Sequence, residues 1–579
     1  MKNTPQHRNW ISSMHLAGRA ALLFAAVLVS AVITTQSAQA QTFNILDSFN
    51  GTDGYNPVGG LVQTTHGDLY GTTNLGGANS VGTVFKITPS GTLTTVYNFC
   101  SQSGCTDGAE PSAGLIQATN GDLYGTTQSG GVEDDGTVFK ITPSGTLTTL
   151  YKFCETSGCP DGYSPEAGLL QASNGNFYGT TYLGGAHADG TIFKMTAAGA
   201  LTTLHTFDGT DGAYPARGVG LMQASNGSLY GLTEYYGTNG GGTVFEMTTG
   251  GTLTTLYSFC KVVNGLGYCT DGERPEGGLV QATDGNFYGV TETGGANDSG
   301  TVFKITPTGT LTTLYSFCSV VVNSTCTDGA SPTGGLIQAT DGNLYGITDG
   351  GGANTGGTVF EITLGGTLTT LYSFGSNGSN PGYAGLVQDT GGAFYGTTGY
   401  GGSFLSVCPS GCGTIFDLSA GLGPFVALQT TSGKEGAKIG ILGQGFSSSS
   451  VVKFGGTQAT TIALTGTTFI SATVPAGALT GSVTVTTGAT TLTSSHTFRV
   501  TPTLTSFSPP SGPVGTPVTI TGTGLTQATN VRFNGKSASF TATSDTQIST
   551  TVPTGATSGK IAVTTPGGSA TSTTSFTVN

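Results

Sequence analysis

Charge is scarce in this chain: only 8% of its 579 residues are Asp, Glu, Lys or Arg. Runs rich in Ala, Leu, Glu and Lys are missing, which argues against helix bundles and coiled coils. The single tryptophan, Trp10, stands near the N-terminus, so the rest of the chain has no indole for sugar stacking or for anchoring a partner. Glycine lacks a G-X-Y period, which excludes a collagen-like rod. Motifs that carry known chemistries are missing too: there is no GxSxG, HExxH, phosphate-binding P-loop or EF-hand loop. Beyond residue 40 four histidines remain, His66, His187, His205 and His496, at non-equivalent places. Positive charge is the scarcer sign. Lys2, Arg8 and Arg19 precede residue 40 with no acid among them, leaving 15 basic against 31 acidic residues in the remainder. That balance excludes nucleic acid and an anionic membrane surface as partners.

What is abundant is glycine, 98 residues, together with Thr and Ser, the composition of short strands joined by tight turns. Residues 1–40 read as a secretory signal peptide: a basic start, the apolar run "AALLFAAVLVSAVITT" (20–35) and the small-residue site "AQA" (38–40). Cleavage there makes Gln41 the first mature residue; an uncleaved anchor is the alternative. No later segment could span a bilayer.

The stretch "GLVQATDGNFYGVTETGGANDSGTVFKITPTGTLTTLYSF" (278–317) recurs along the chain. Its Tyr-Gly pair stands at Tyr70, Tyr124, Tyr178, Tyr230, Tyr288, Tyr345 and Tyr395. Each unit reads as four strands, "GLVQAT", "NFYGVT", "GTVFKIT" and "TLTTLYSF", bounded by Gly, Asn, Asp or Pro. Four strands in roughly 50 residues is the arithmetic of a β-propeller blade; a β-solenoid is the alternative. The chain opens on "TFNILDSF" (42–49), a fourth strand with nothing before it, while the seventh unit breaks off before its own fourth strand. The N-terminal strand is therefore predicted to complete the last blade.

These units resemble the GloVer tandem repeat of bacterial "choice-of-anchor" surface proteins and are similar to NHL-type blades, over residues 41–421. The ending "TSTTSFTVN" has no LPxTG-like anchor, a departure that implies release or retention by binding. A second resemblance covers "SFSPPSGPVGTPVTITGTGLTQATNVRFNGKSASF", with Pro510, Gly512, Gly515, Gly522, Gly524, Phe533, Gly535 and Pro553. It is similar to the IPT/TIG domain, an immunoglobulin-like sandwich. A weaker copy precedes it, keeping "GQGF" (443–446) and "VVKFGG" (451–456). The expected fold is all-β: a signal peptide (1–40), a seven-bladed β-propeller closed by the N-terminal strand (41–421), and two IPT/TIG β-sandwiches (422–500 and 501–579).

The ten cysteines come as near neighbours that are present or absent together: Cys100 with Cys105, Cys154 with Cys159, Cys260 with Cys269, Cys318 with Cys326, and Cys408 with Cys412. Five local disulfides are predicted, in keeping with export, and they are expected to pin loops more than to hold the ring together. No histidine accompanies them, so zinc is not expected.

In such a repeat the loops from fourth to first strand and from second to third emerge on one face. That rim carries the Asp-Gly turns at Asp53, Asp107, Asp161, Asp211, Asp271 and Asp328, with Asn377 in the seventh unit, and most of the exposed tyrosines. Residues that recur seven times are read as turn and packing residues. Ligand contacts are sought where units depart from the pattern: Tyr182, His187, Tyr235, Tyr236, Glu133 and Asp134. Glu292, which varies between units, keeps a weaker claim. No catalytic residue and no metal site is assigned, and no cofactor is expected beyond a weak case for Ca²⁺. The composition fits a secreted or cell-surface, monomeric, non-enzymatic binding protein, its rim facing an extracellular glycan or surface protein. The alternative is a propeller enzyme, lyase or hydrolase, acting on extracellular polysaccharide.

Overall fold

The structure, a computed structural model, describes residues 41–579 apart from 376, 377, 383 and 384. The expected signal peptide and Asn377 lie outside the described residues. The fold is all-β with almost entirely antiparallel sheets, and among the described residues its only helical element is the short 3₁₀ turn Ser103–Cys105. Among the described residues no helix is long and apolar enough to cross a membrane.

The seven repeat units each form one sheet, with strands in chain order from one edge to the other. In the fifth unit the strands are Glu273–Gln281, Phe287–Thr293, Thr301–Ile305 and Leu311–Ser316. The seventh sheet takes its outer strand from the chain start: Thr42–Ser48 pairs antiparallel with Thr414–Ser419, from Thr42 opposite Ser419 to Ser48 opposite Thr414.

The repeated Tyr-Gly-x-Thr is explained by packing. The tyrosines are buried between neighbouring sheets, Tyr288 at 0% exposure beside Leu336, Leu344 and Phe360 of the next unit. The threonines, Thr291 and its six equivalents, are buried and share a hydrogen bond with a third-strand threonine, 2.8 Å between Thr291 and Thr301. The glycine admits the third-strand phenylalanine: a Cβ on Gly289 would meet Phe303 Cζ at 2.6 Å and Leu279 Cδ2 at 3.1 Å. Gly289→Ala is therefore expected to destabilise the protein by about 1–3 kcal/mol through overpacking, read as a lowered urea midpoint with unchanged m-value.

Two sets of contacts run from unit to unit. A glutamine closing each first strand accepts the backbone N–H of the preceding unit's first turn: Thr65 to Gln117, Thr119 to Gln171, Ser173 to Gln223, Ser225 to Gln281, Thr283 to Gln338 and Thr340 to Gln388. Thr390 of the seventh unit donates to Gln63 of the first at 3.0 Å, so the series returns to its start. The first strands also meet glycine to glycine. A Cβ on Gly114 would lie 2.9 Å from Gly60 O, one on Gly220 2.7 Å from Gly168 O, and one on Gly385 2.4 Å from Gly335 O.

All five predicted disulfides are formed, and no described cysteine is free. Cys100 is bonded to Cys105, Cys154 to Cys159, Cys260 to Cys269, and Cys318 to Cys326. These four pin the loops that lead from one unit to the next. The fifth, Cys408 with Cys412, lies instead inside the seventh unit, between its second and third strands. Besides pinning its loop, it stands at a seam between units. Cys408 and Cys412 are buried, Cys412 at 0% exposure, and they pack with Phe49, Phe85 and Ile415 where the seventh and first units meet. Cys269 is also buried, whereas Cys326 is half-buried.

Residues 427–500 and 503–578 form two sandwiches with the same strand order. In the first, Ala427–Leu428, Lys438–Leu442, Phe469–Thr473 and Ile462–Thr465 form one sheet; in the second, Thr503–Ser508, Pro517–Thr523, Gln547–Thr551 and Phe540–Ser544 form its counterpart. Each has its own apolar core, around Phe454 and Phe498 in the first and around Phe533 and Phe576 in the second. The first sandwich docks on the tight first turns of the repeat units. Thr468 Oγ1 donates to Thr65 O at 2.9 Å, Arg499 Nη1 to Ser225 O at 2.7 Å, and Phe425 N to Thr390 O at 3.1 Å.

Candidate functional site

With the turn face taken by the first sandwich, the long-loop face is left. The loop before the first strand bridges the loop after the second, as Tyr163 does to Leu183 and Ala330 to Gly350. This pairing brings together two columns of the repeat. One is the residue before the loop proline: Asn56, Glu110, Ser164, Tyr214, Arg274, Ser331 and Asn380. The other follows Tyr-Gly-x-Thr: Asn74, Gln128, Tyr182, Glu234, Glu292, Asp349 and Gly399. Backbone bonds join them directly, Tyr182 N donating to Ser164 O and Asp349 N to Ser331 O, both at 2.9 Å.

Inside a frame repeated seven times, these columns vary in chemistry. The first is also strained. All seven of its residues are left-handed, with φ between 52° and 57°, although none is glycine and each precedes proline. A residue before proline ordinarily stays extended, and a left-handed non-glycine costs on the order of 1 kcal/mol or more. In a chain rich in glycine, none of the seven positions has lost its side chain.

In units three to six the columns form one network. The two arginines between residues 41 and 421, Arg217 and Arg274, are both in it. Arg217 Nε stands 3.1 Å from Glu166 and 3.3 Å from Glu234, and its guanidinium lies 4.4 Å over the Tyr182 ring. Tyr182 Oη donates to Glu234 at 3.1 Å. Arg274 contacts Glu292 at 2.6 Å, stands 3.5 Å from Glu276, and lies 5.2 Å over Tyr235. Asp349 accepts from Asn380 at 3.1 Å, and Gln128 donates to Glu166 at 3.2 Å. Beside this network Tyr214 packs on Tyr182 at 5.1 Å, Tyr235 at 5.8 Å and Tyr236 at 6.2 Å, making an aromatic shelf. The fourth unit's insertion "RGVG" supplies both Arg217 and Val219. A Cβ on Gly278 would meet Val219 at 3.0 Å, and one on Gly335 would meet it at 2.8 Å, so Val219 reaches across the fifth and sixth units' first strands.

Among the described residues nine buried side-chain polar atoms lack a hydrogen bond, and eight are at this mouth: on Asn56, Ser112, Arg217, Glu234, Arg274, Glu276, Glu292 and Asp349. Three of them, Arg217 Nε, Glu234 Oε1 and Glu292 Oε2, stand at ion-pair distance from a partner without the alignment of a hydrogen bond. Native interiors hold few such atoms, and a cluster of them marks a place completed by something else.

Burial, reinforced by Glu234 and Glu292, pushes the Glu276 carboxyl up to about 9, so it is neutral near pH 7. Burial raises Glu234 to about 7, against the pull of Arg217, and Asp349 to about 6. Because the folded state holds protons that the unfolded state releases, stability from these groups is greatest at low pH and falls as pH rises between 4.5 and about 9. Glu276→Gln keeps the neutral shape and is expected to flatten this fall, measured as melting temperature against pH.

Of the predicted contacts, the structure gathers Tyr182, Tyr235 and Tyr236 at the mouth. Glu133, Asp134 and His187 are exposed loop residues that join none of these contacts. Glu292 has a larger part than its sequence position suggested. The Asp-Gly turns belong to the scaffold: Asp107, Asp161, Asp271 and Asp328 accept from Tyr97, Tyr151, Tyr257 and Tyr315 hydroxyls at 2.7–2.8 Å. His205 replaces that tyrosine in its unit and meets Asp211 at 2.7 Å. Among the described residues the only acidic or thiol group at metal-ligand spacing is Asp135 with Cys154 and Cys159, and both cysteines are in a disulfide. A cavity of about 670 Å³ lies on the opposite face, between the turns of units two to four and the sandwiches, lined by Gln171, Gln223, Asn226 and Arg499. None of the unpartnered buried atoms lines it.

The Gloeobacter/Verrucomicrobia repeat profile matches residues 30–170, 155–326 and 318–445, and the IPT/TIG domain profile matches residues 502–578. No curated protein sequence matches the chain. Among solved structures, a fungal alcohol oxidase of the AA5 family in complex with copper is similar at 12% identity over 93% of this chain and 99% of its own, TM-score 0.45. A gluconolactonase from Xanthomonas campestris is similar at 13% identity over 54% and 87%, TM-score 0.33. A surface glycan-binding protein from Prevotella bryantii is similar at 20% identity over 27% and 39%, TM-score 0.20. None of the three assigns a chemistry to this chain.

Proposed function

The chain belongs to the Gloeobacter/Verrucomicrobia repeat family and carries a C-terminal IPT/TIG domain, and from that premise we propose that it is an extracellular, non-catalytic glycan-binding protein. The seven sheets are read as blades of a propeller closed by the N-terminal strand, supported by the pairing of Thr42–Ser48 with the last unit and by the Thr390–Gln63 bond. Residues 1–40 are the export signal, 41–421 the propeller, and 422–500 and 501–579 the two sandwiches, which act as spacer or second contact. Five disulfides suit an oxidising compartment.

The observation that carries the reading is the coincidence, at one mouth, of repeat variation with eight buried polar atoms that lack a hydrogen bond, five of them without an ion-pair contact either. Polar groups without a hydrogen-bond partner in the protein, beside a tyrosine shelf whose outer member Tyr236 is exposed, suit a ligand with many hydroxyls and an apolar ring face. A glycan array tests this: binding lost in Tyr182→Ala and Tyr236→Ala variants supports it, and an array with no bound glycan contradicts it.

One observation favours the enzyme alternative. Glu276, neutral near pH 7, lies in the same network as Glu234, which titrates near 7, and such a pair could serve as acid and base on a glycosidic bond. Release of shortened products from a bound glycan, abolished in Glu276→Gln, would establish that reading instead.

A further inference from the structure

The mouth has an imbalance that narrows its ligand. Five carboxyl groups, on Glu166, Glu234, Glu276, Glu292 and Asp349, stand against two guanidinium groups. The buried atoms without an aligned hydrogen bond, three of them already beside an ion-pair partner, are imbalanced in the same direction. Asn56 Oδ1, Glu234 Oε1, Glu276 Oε2, Glu292 Oε2 and Asp349 Oδ1 are oxygens of carboxyl or amide groups, whereas Arg217 Nε and Arg274 Nε are the only nitrogens among those described. Glu234 and Glu276 are themselves 0% and 2% exposed. Once Glu276 gives up its proton, a ligand that completes this site must bring more donors than acceptors, and positive charge suits it best.

Resting on the reading of the mouth as a glycan site, we propose that its preferred ligand is a sugar chain bearing protonated amines, such as β-1,4-linked glucosamine. An ammonium offers three donors and no acceptor. A hydroxyl offers one donor along with lone pairs that would face carboxylates, and an acetamide adds a carbonyl oxygen. An anionic sugar meets repulsion, because both arginines are already held between carboxylates. The shelf takes the apolar face of a sugar ring, and its outermost member, the exposed Tyr236, attracts a cation through its π-face, while Arg217 and Arg274 already lie over Tyr182 and Tyr235. The acidic charge of the whole chain draws such a ligand in. Binding is also coupled to a proton: an ammonium beside Glu276 favours its carboxylate, so the Glu276 proton passes to the buffer while the ligand keeps its own.

Titration calorimetry on the full chain, with three β-1,4 tetrasaccharides that differ only at carbon 2, tests this. The substituents are ammonium, acetamide and hydroxyl, compared below about pH 7, where amines of the α-amino kind are protonated. The amine tetramer is expected to bind about tenfold tighter than either other, or ~1.4 kcal/mol. Its binding heat should vary between buffers of different ionisation enthalpy, showing proton release, and Glu276→Gln should reduce that variation to the part that Glu234 and Asp349 release, while the protein stays folded. Equal binding of the three, or preference for the acetamide or hydroxyl form, overturns the amine proposal and leaves the glycan reading standing. Failure of every glycan overturns both. A tetralysine peptide binding as tightly as the amine tetramer overturns the assignment to a sugar.

Discussion

A chain lacking residues 41–49 is expected to lose cooperative folding at temperatures where the full chain is stable. The segment provides the outer strand of the seventh sheet, along Thr414–Ser419. It also provides two aromatic anchors. Phe43 stacks on Tyr372 with ring centroids 3.6 Å apart and lies 5.3 Å from Phe416, and Phe49 is buried against Phe85 of the first unit. Losing the buried Phe49 costs about 3–5 kcal/mol, the half-buried Phe43 adds a smaller loss, and together they use up a large part of the roughly 5–15 kcal/mol that typically holds a domain together. Removing the strand also bares the edge of Thr414–Ser419, an invitation to self-association. Melting followed by circular dichroism, with light scattering, should show a broad low transition and oligomers. An unchanged sharp melt of a monomer would show that the seventh sheet stands without its borrowed strand.

Arg217→Met is expected to have the second largest effect, on both stability and binding. It leaves Glu166 and Glu234 buried without their shared cation. Breaking a buried pair by removing one partner typically costs about 3–5 kcal/mol. The low end applies here because Arg217 is about one-third exposed, with 34% side-chain exposure, and its carboxylates can take up protons. The loss should shrink as pH falls, because protonated Glu166 and Glu234 no longer need the cation. Adding Glu234→Gln should recover part of the stability and none of the binding. A fall in stability that ignores pH would mean that Arg217 acts by packing alone.

The parts of the fold legible in the sequence are those that repeat. Tyr288, Gly289 and Thr291 recur because each sheet needs the same inter-sheet wedge, the same gap for a phenylalanine and the same threonine pair. The cysteine pairs were legible because a lone thiol is never left behind. The buried place of Cys408 and Cys412 was not, because their loop has no counterpart in the other units and its depth depends on the first unit closing over it. The mouth was harder to read because little in it recurs beyond neighbouring units: Glu166, Arg217, Glu234, Arg274 and Glu292 come from three successive units and meet only when the sheets stand side by side. A signal was nonetheless present. Reading down the residue before each loop proline, and the one after each Tyr-Gly-x-Thr, shows a fixed frame with changing chemistry and includes Arg274, Glu234 and Glu292. Tyr182, Tyr235 and Tyr236 were selected where units depart from the repeat, and they stand beside the arginine contacts. Glu133, Asp134 and His187 were selected by the same departure from the repeat, but on loop tips that point to no shared contact. The Asp-Gly turns were legible as turns, but not the tyrosine hydroxyls that occupy their carboxylates, because these lie 10 to 14 residues away on the preceding strand, as in Tyr97–Asp107 and Tyr257–Asp271.

The central claim is that ligand sits at the long-loop mouth and not in the cavity on the sandwich side. Hydrogen–deuterium exchange with a saturating β-1,4 tetrasaccharide tests it most directly. Slowed exchange is predicted in Leu229–Tyr235 and Glu273–Gln281, with no change around Ser225 and Arg499. Protection confined to Gln171, Ser225 and Arg499, which line the cavity of about 670 Å³, would contradict it.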